Sequence, residues 1–148
     1  MAGAGRLGGV QAAGRSAARH PMKILVVDDE PTIVLMCRRV LEAQGHVVHG
    51  FTSAQAALAQ LEGEAADLLV VDYKMPDLNG LEFIQRAWAL RPGLRVVMIT
   101  AHGTREVISR ATQTGVTSIV LKPFTPTELA RGVAEAVGGT ESPRPTER

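Results

Sequence analysis

Apolar residues in this chain gather into short runs, and several of these runs end on a polar residue of a particular kind. Lys23-Ile24-Leu25-Val26-Val27 ends on Asp28-Asp29, and Leu68-Leu69-Val70-Val71 ends on Asp72. Val96-Val97-Met98-Ile99 ends on Thr100, and Ile119-Val120-Leu121 ends on Lys122. Between the runs, apolar residues recur at helical spacing. Ile33, Met36, Cys37, Val40 and Leu41 form one stripe, and Leu129, Val133 and Val137 form another. Period and length predict strands over 23–28, 46–51, 67–72, 95–100 and 117–121. They predict helices over 31–44, 53–62, 80–90, 104–114 and 126–137.

Regular strand-helix alternation implies a parallel sheet with helices on both faces and right-handed crossovers. The runs at 67–72 and 95–100 are nearly continuous, as strands covered on both faces should be. The segment 46–51 alternates more and is expected at an edge. The fold class is therefore α/β, a doubly wound five-stranded parallel sheet. The flavodoxin-like strand order 2-1-3-4-5 is the best-known five-strand case. Local chemistry supports the helix ends. Pro31 suits a first turn and Gly45 a C-terminal stop. Ser53 is a cap for the second helix and Gly63 its stop. Asn79 with Glu82, and Thr125 with Glu128, each fit a capping box.

The 148 residues suit one domain plus tails, and a domain near that size buries about 70% of its unfolded surface. Net charge is +1, so no global field draws the chain to nucleic acid or an acidic membrane. Aromatic content of 3% is too low for a base-stacking platform. No run approaches the ~20 apolar residues of a membrane span, and the cytoplasm is the default location. The lone Cys37 has no partner for a disulfide or a thiolate metal site and reads as a small buried hydrophobe. His46 and His49 fall on opposite faces of one strand, and His20 lies in the tail, so no Cys/His site is expected. Residues 1–22 read as a disordered extension, or as an upstream mis-assignment with Met22 the true start. Residues 23–137 read as the domain, and 138–148 as a flexible tail or the start of a linker.

If the strands share one sheet, three carboxylates, a hydroxyl and an amine meet outside its carboxyl edge, where open α/β sheets bind ligands. Two unit charges 4 Å apart repel by about 4 kcal/mol at an effective dielectric of ~20, so three acids ask for a cation or for raised pKa values. All-oxygen ligation suits Mg²⁺, Mn²⁺ or Ca²⁺. A carboxylate can also attack phosphorus, and the transferred group needs its charge neutralised. Lys122 supplies part of that charge, Thr100 a hydrogen bond, and the small Ala101 room. Taken singly, each residue has a plainer reading as a cap, a turn residue or a solvated side chain. Their meeting at one edge favours a Mg²⁺-dependent phosphoryl acceptor.

These residues resemble the receiver domain of the two-component response regulators. The similarity lies in Ile24-Leu25-Val26-Val27-Asp28-Asp29-Glu30, Val71-Asp72-Tyr73-Lys74-Met75-Pro76-Asp77-Leu78-Asn79-Gly80, Ile99-Thr100-Ala101 and Leu121-Lys122-Pro123-Phe124, and it spans 23–137. The resemblance implies a (βα)5 receiver fold with Asp72 as the phosphoryl acceptor. Asp28 and Asp29, with Asp72 and the main-chain carbonyl of Lys74, would hold Mg²⁺. Thr100 would be the switch hydroxyl, and Lys122 would pair with the acceptor and its phosphate. A cis bond before Pro123 is implied as well. The partners would be a sensor histidine kinase or histidine phosphotransfer protein, and a downstream protein or second copy docking on 104–137, where Arg105, Arg110 and Arg131 lie. Self-catalysed phosphorylation and dephosphorylation are implied, with no separate small-molecule substrate. A stand-alone regulator and a fragment of a longer one both fit.

The chain departs from the family pattern at two places. Ile119 stands where many receivers carry an aromatic whose rotamer follows phosphorylation, so an aromatic flip cannot be the signal. Asn79 replaces the usual Asp and keeps its capping role. Lys74 and His102 occupy the variable positions that tune phosphoryl lifetime. Trp88 and Phe83 read as packing residues. The rival readings are an aspartyl-nucleophile phosphohydrolase, which Lys74 disfavours where a second acid is usual, and a binding module that is never phosphorylated.

Overall fold

The computed structural model describes residues 21–138. Its strands are β1 (Lys23–Val27), β2 (Val47–Phe51), β3 (Leu68–Asp72), β4 (Arg95–Thr100) and β5 (Ser118–Leu121). Its helices are α1 (Pro31–Ala43), α2 (Ala54–Gly63), α3 (Gly80–Leu90), α4 (Arg105–Thr114) and α5 (Pro126–Gly138). All strand pairs are parallel, in the order β2-β1-β3-β4-β5. The chain therefore has the α/β doubly wound fold with order 2-1-3-4-5, and β2 is an edge strand.

Strand periodicity explains the two cores. Leu25, Val27, Leu69, Val71, Val96 and Met98 face one side, where α2, α3 and α4 bring Ala57, Leu61, Phe83, Ile84 and Ala111. Ile24, Val26, Leu68, Val70, Val97 and Ile99 face the other, against Val34, Cys37 and Leu41 of α1 and Leu129, Val133 and Ala136 of α5. Every residue of β3 is buried, as a strand covered on both faces requires. Each fully buried Leu or Val contributes roughly 1.5–3 kcal/mol of transfer free energy.

Element ends fall within one residue of the sequence expectation, and side-chain bonds account for several of the shifts. His46 precedes β2 instead of lying in it, and its Nδ1 accepts from Met22 N at 3.0 Å. Asp67 precedes β3, with its carboxylate accepting from Lys23 N at 2.9 Å. Ser53 and Thr104 cap α2 and α4 from outside, each accepting at 3.2 Å from the residue three along. The Thr125–Glu128 box closes both ways, at 2.8 and 3.1 Å. The Asn79 cap is one-sided: its Oδ1 accepts from Leu81 N at 2.7 Å. Gly63 is the last residue of α2, and Glu64 follows as its C-cap. Gly45 takes φ 99° after α1, a conformation that favours glycine. Of the expected extension 1–22 and tail 138–148, residues 1–20 and 139–148 lie outside the described residues, and Gly138 closes α5 instead of opening the tail.

Candidate functional site

Parallel register aligns the strand ends. Asp72 closes β3 opposite Ile99 of β4, and Thr100 follows Ile99 and pairs with Leu121 of β5. Lys122 comes next, with its N–H donating to Thr100 O at 2.8 Å. Asp28 is the first residue after β1, and its N–H donates to Phe51 O at 3.1 Å. The edge thus gathers residues up to 94 positions apart without any one segment needing an unusual conformation.

Carboxylate oxygens of Asp28, Asp29 and Asp72 all lie within 4.8 Å of one another. Two unit charges at that spacing or closer repel by at least about 3.5 kcal/mol at an effective dielectric of ~20. Asp28 and Asp72 are buried, and Asp29 is exposed. Lys122 offsets part of the repulsion, with Nζ 2.9 Å from Asp28, 3.1 Å from Glu30 and 3.4 Å from Asp72. The pairing expected between Lys122 and Asp72 is present, but the nearest acid is Asp28.

Protonation follows from these contacts. Burial raises the Asp28 carboxyl above its ordinary range, while the Glu30 amide and Lys122 pull against it. The Asp72 carboxyl is pushed up to about 6, first by burial and then by the Asp28 charge, with Lys122 opposing. Burial alone would lower Lys122, yet Asp28 and Glu30 outweigh it and hold the ammonium above its usual value. Burial also pushes the Cys37 thiol up to about 12, consistent with a packing role.

The donor set fits a hard divalent cation. It is all oxygen, and its three carboxylates outnumber the Lys122 charge, which is itself shared among Asp28, Glu30 and Asp72. Lys74, the source of the expected carbonyl ligand, lies in the loop after β3. That loop is closed by Gly80 N donating to Tyr73 O at 2.7 Å.

Thr100 is buried, and its Oγ1 accepts from His102 N at 2.8 Å, which leaves its own hydroxyl proton free to donate elsewhere. Ala101, Lys74 and His102 are exposed around the site. The His102 and Tyr73 rings lie 6.4 Å apart at a 52° tilt. Ile119 is half-buried against the core under α2, α3 and α4. The Lys122–Pro123 peptide is cis. Phe83 is fully buried, and Trp88 is partly buried with Nε1 donating to Leu94 O at 2.7 Å, so both pack as expected. Arg105, Arg110 and Arg131 are exposed, and Arg110 pairs with Glu106 at 3.2 Å. Glu30 received no role from the sequence. Its place in an acidic triplet was visible, but its partner lies 92 residues away.

A family model described as the response regulator receiver domain matches residues 24–134. A chemotaxis protein CheY homolog of Campylobacter jejuni is 30% identical over 121 residues, covering 79% of this chain and 93% of that protein. The C4-dicarboxylate transport transcriptional regulatory protein DctD of Rhizobium meliloti is 30% identical over 113 residues. That match covers 76% of this chain and 25% of DctD, so the chain spans about a quarter of that relative's length. The crystal structure of a CheY-like response regulator receiver domain protein from Methanospirillum hungatei superposes with a TM-score of 0.76 at 30% identity. It covers 82% of this chain and 98% of that one. Among the described residues, no helix is long and apolar enough to cross a membrane.

Proposed function

This chain belongs to the response regulator receiver domain family, and we propose that Asp72 accepts a phosphoryl group from a sensor histidine kinase or a histidine phosphotransfer protein. The observation that carries this reading is the Asp72 carboxylate, buried at the end of β3 between two further acids and the Lys122 ammonium. An Asp72 oxygen attacks phosphorus, the phosphorus–nitrogen bond of the donor histidine breaks, and its electron pair returns to the imidazole.

Asp28, Asp29, Asp72 and the Lys74 carbonyl would hold Mg²⁺, which supplies positive charge beside the phosphoryl oxygens when bound. Lys122 would share that task through its ammonium. Thr100 donates its hydroxyl proton to a phosphoryl oxygen, and Ala101 leaves space for the group. Lys74 and His102 flank the path of the water that later hydrolyses the acyl phosphate, so each tunes its lifetime. The receiver unit runs over 23–137, and the switched contacts lie on 104–137, toward a downstream protein or a second copy.

The deciding measurement is intact mass after exposure to a small acyl phosphate with Mg²⁺. One phosphoryl adduct is expected on the native chain and none on Asp72→Asn. An adduct that persists unchanged in Asp72→Asn would reassign the acceptor, and no adduct on the native chain would favour the pure binding module. Phosphoryl half-lives that stay at the native value in both Lys74→Ala and His102→Ala would remove the tuning role. Sustained turnover of phosphate esters would favour the phosphohydrolase, against which stands Lys74 two residues after Asp72.

A further inference from the structure

Three carboxylates share Lys122, and one of them has no part in the chemistry above. Glu30 stands at the N-cap of α1 with extended backbone, φ −95° and ψ 110°, and its side chain makes no capping bond to its own helix. Ser, Thr, Asp or Asn at this place would cap, whereas Glu leaves the helix start without that bond. The Glu30 carboxylate turns instead across the sheet edge to Lys122, accepting from Nζ at 3.1 Å. Its amide N–H donates to Asp28 Oδ1 at 2.9 Å, so both ends of the residue are tied into the site. Lys122 Nζ is nearer to Glu30 than to Asp72, 3.1 against 3.4 Å.

Charge gives this contact a consequence. Asp28, Glu30 and Asp72 already share the Lys122 ammonium, and a phosphoryl donor is itself an anion. Glu30 adds repulsion against the donor and holds the ammonium that the phosphoryl oxygens need. Its side chain is 58% exposed, so the effect is screened by solvent and modest.

We propose that Glu30 is a positioning residue acting through Lys122: it competes with the incoming phosphoryl group for the ammonium and so weakens acceptance at low donor concentration. The inference rests on Asp72 being the acceptor. Rates of adduct formation with acetyl phosphate and Mg²⁺, measured over a range of donor concentrations at low and high KCl, test it. Glu30→Gln keeps size and hydrogen bonding but removes the charge. Its half-saturating donor concentration should fall about threefold at low salt, with the gain shrinking as KCl rises and the maximal rate moving far less. Glu30→Asp keeps the charge and should stay closer to the native chain. The idea is overturned by an unchanged half-saturation in Glu30→Gln, by a change that ignores salt, or by Gln and Asp variants that shift alike. Failure of both variants to fold would make Glu30 purely structural and overturn it too. If the native chain itself takes no phosphoryl group, the acceptor reading fails first and this inference falls with it.

Discussion

Asp72 faces opposed demands at the scale of a single residue. The proposed acceptor role requires an ionised carboxyl, yet burial and the Asp28 charge raise it to about 6. A folded-state value above the unfolded ~3.9 means that the folded chain holds the proton more tightly. Without metal, stability from this group is therefore greatest below pH ~4 and is lost as pH rises through about 6. Asp28 shifts in the same direction. Asp72→Asn removes the charge, so at pH 7 in chelator the variant should be more stable than the native chain by about 1–2 kcal/mol. The difference should shrink toward pH 4. Urea unfolding at both pH values measures it, and a variant no more stable at pH 7 would show that Lys122 already compensates the charge. Asp28, Asp29, Asp72, Thr100 and Lys122 were legible as site candidates because each closes or follows an apolar run. Glu30 was not legible, because only a contact across 92 residues gives its carboxylate a partner.

At the scale of elements, the start of α3 packs against the backbone at the end of β3. A Cβ added at Gly80 would lie 2.4 Å from Asp72 O and 2.8 Å from Tyr73 Cα, both backbone atoms that cannot turn aside. Gly80→Ala should therefore cost about 1–3 kcal/mol by overpacking and should also slow labelling of Asp72. Denaturant midpoints together with adduct rates check this, and normal values for both would mean that the loop yields freely. The Thr125–Glu128 box predicts a smaller, purely local loss of about 1 kcal/mol for Thr125→Ala, readable in the same unfolding curves. Helices and strands were legible to within a residue because their periods are short-range properties of the chain. The shifted ends at His46 and Asp67 depend on bonds to Met22 and Lys23, which local pattern does not encode. The one-sided Asn79 cap is a matter of side-chain geometry, and residue type alone did not reveal it.

At the scale of the whole molecule, a cation held at the acidic edge would link binding to stability. A ligand that binds only the folded chain stabilises it by RT ln(1 + [L]/Kd), about 2.7 kcal/mol at a hundred times Kd. Mg²⁺ should therefore raise the melting temperature, chelator should reverse the rise, and Asp29→Asn should need more Mg²⁺ for the same gain. A melting temperature indifferent to Mg²⁺ would show that the cluster holds no such ion. The sequence by itself determined the alternation of elements, the two-sided burial of β3 and β4, and the polar residue that ends each of four runs. These are consequences of period and of side-chain chemistry along short stretches. Tertiary structure alone decided that Lys122 lies closest to Asp28, that Glu30 joins it, and that Thr100 Oγ1 is engaged by His102 N. The reason is physical. Local pattern names which groups reach the carboxyl edge. The distances among them, and therefore their charges and protonation, exist only once parallel strands from distant parts of the chain are set side by side.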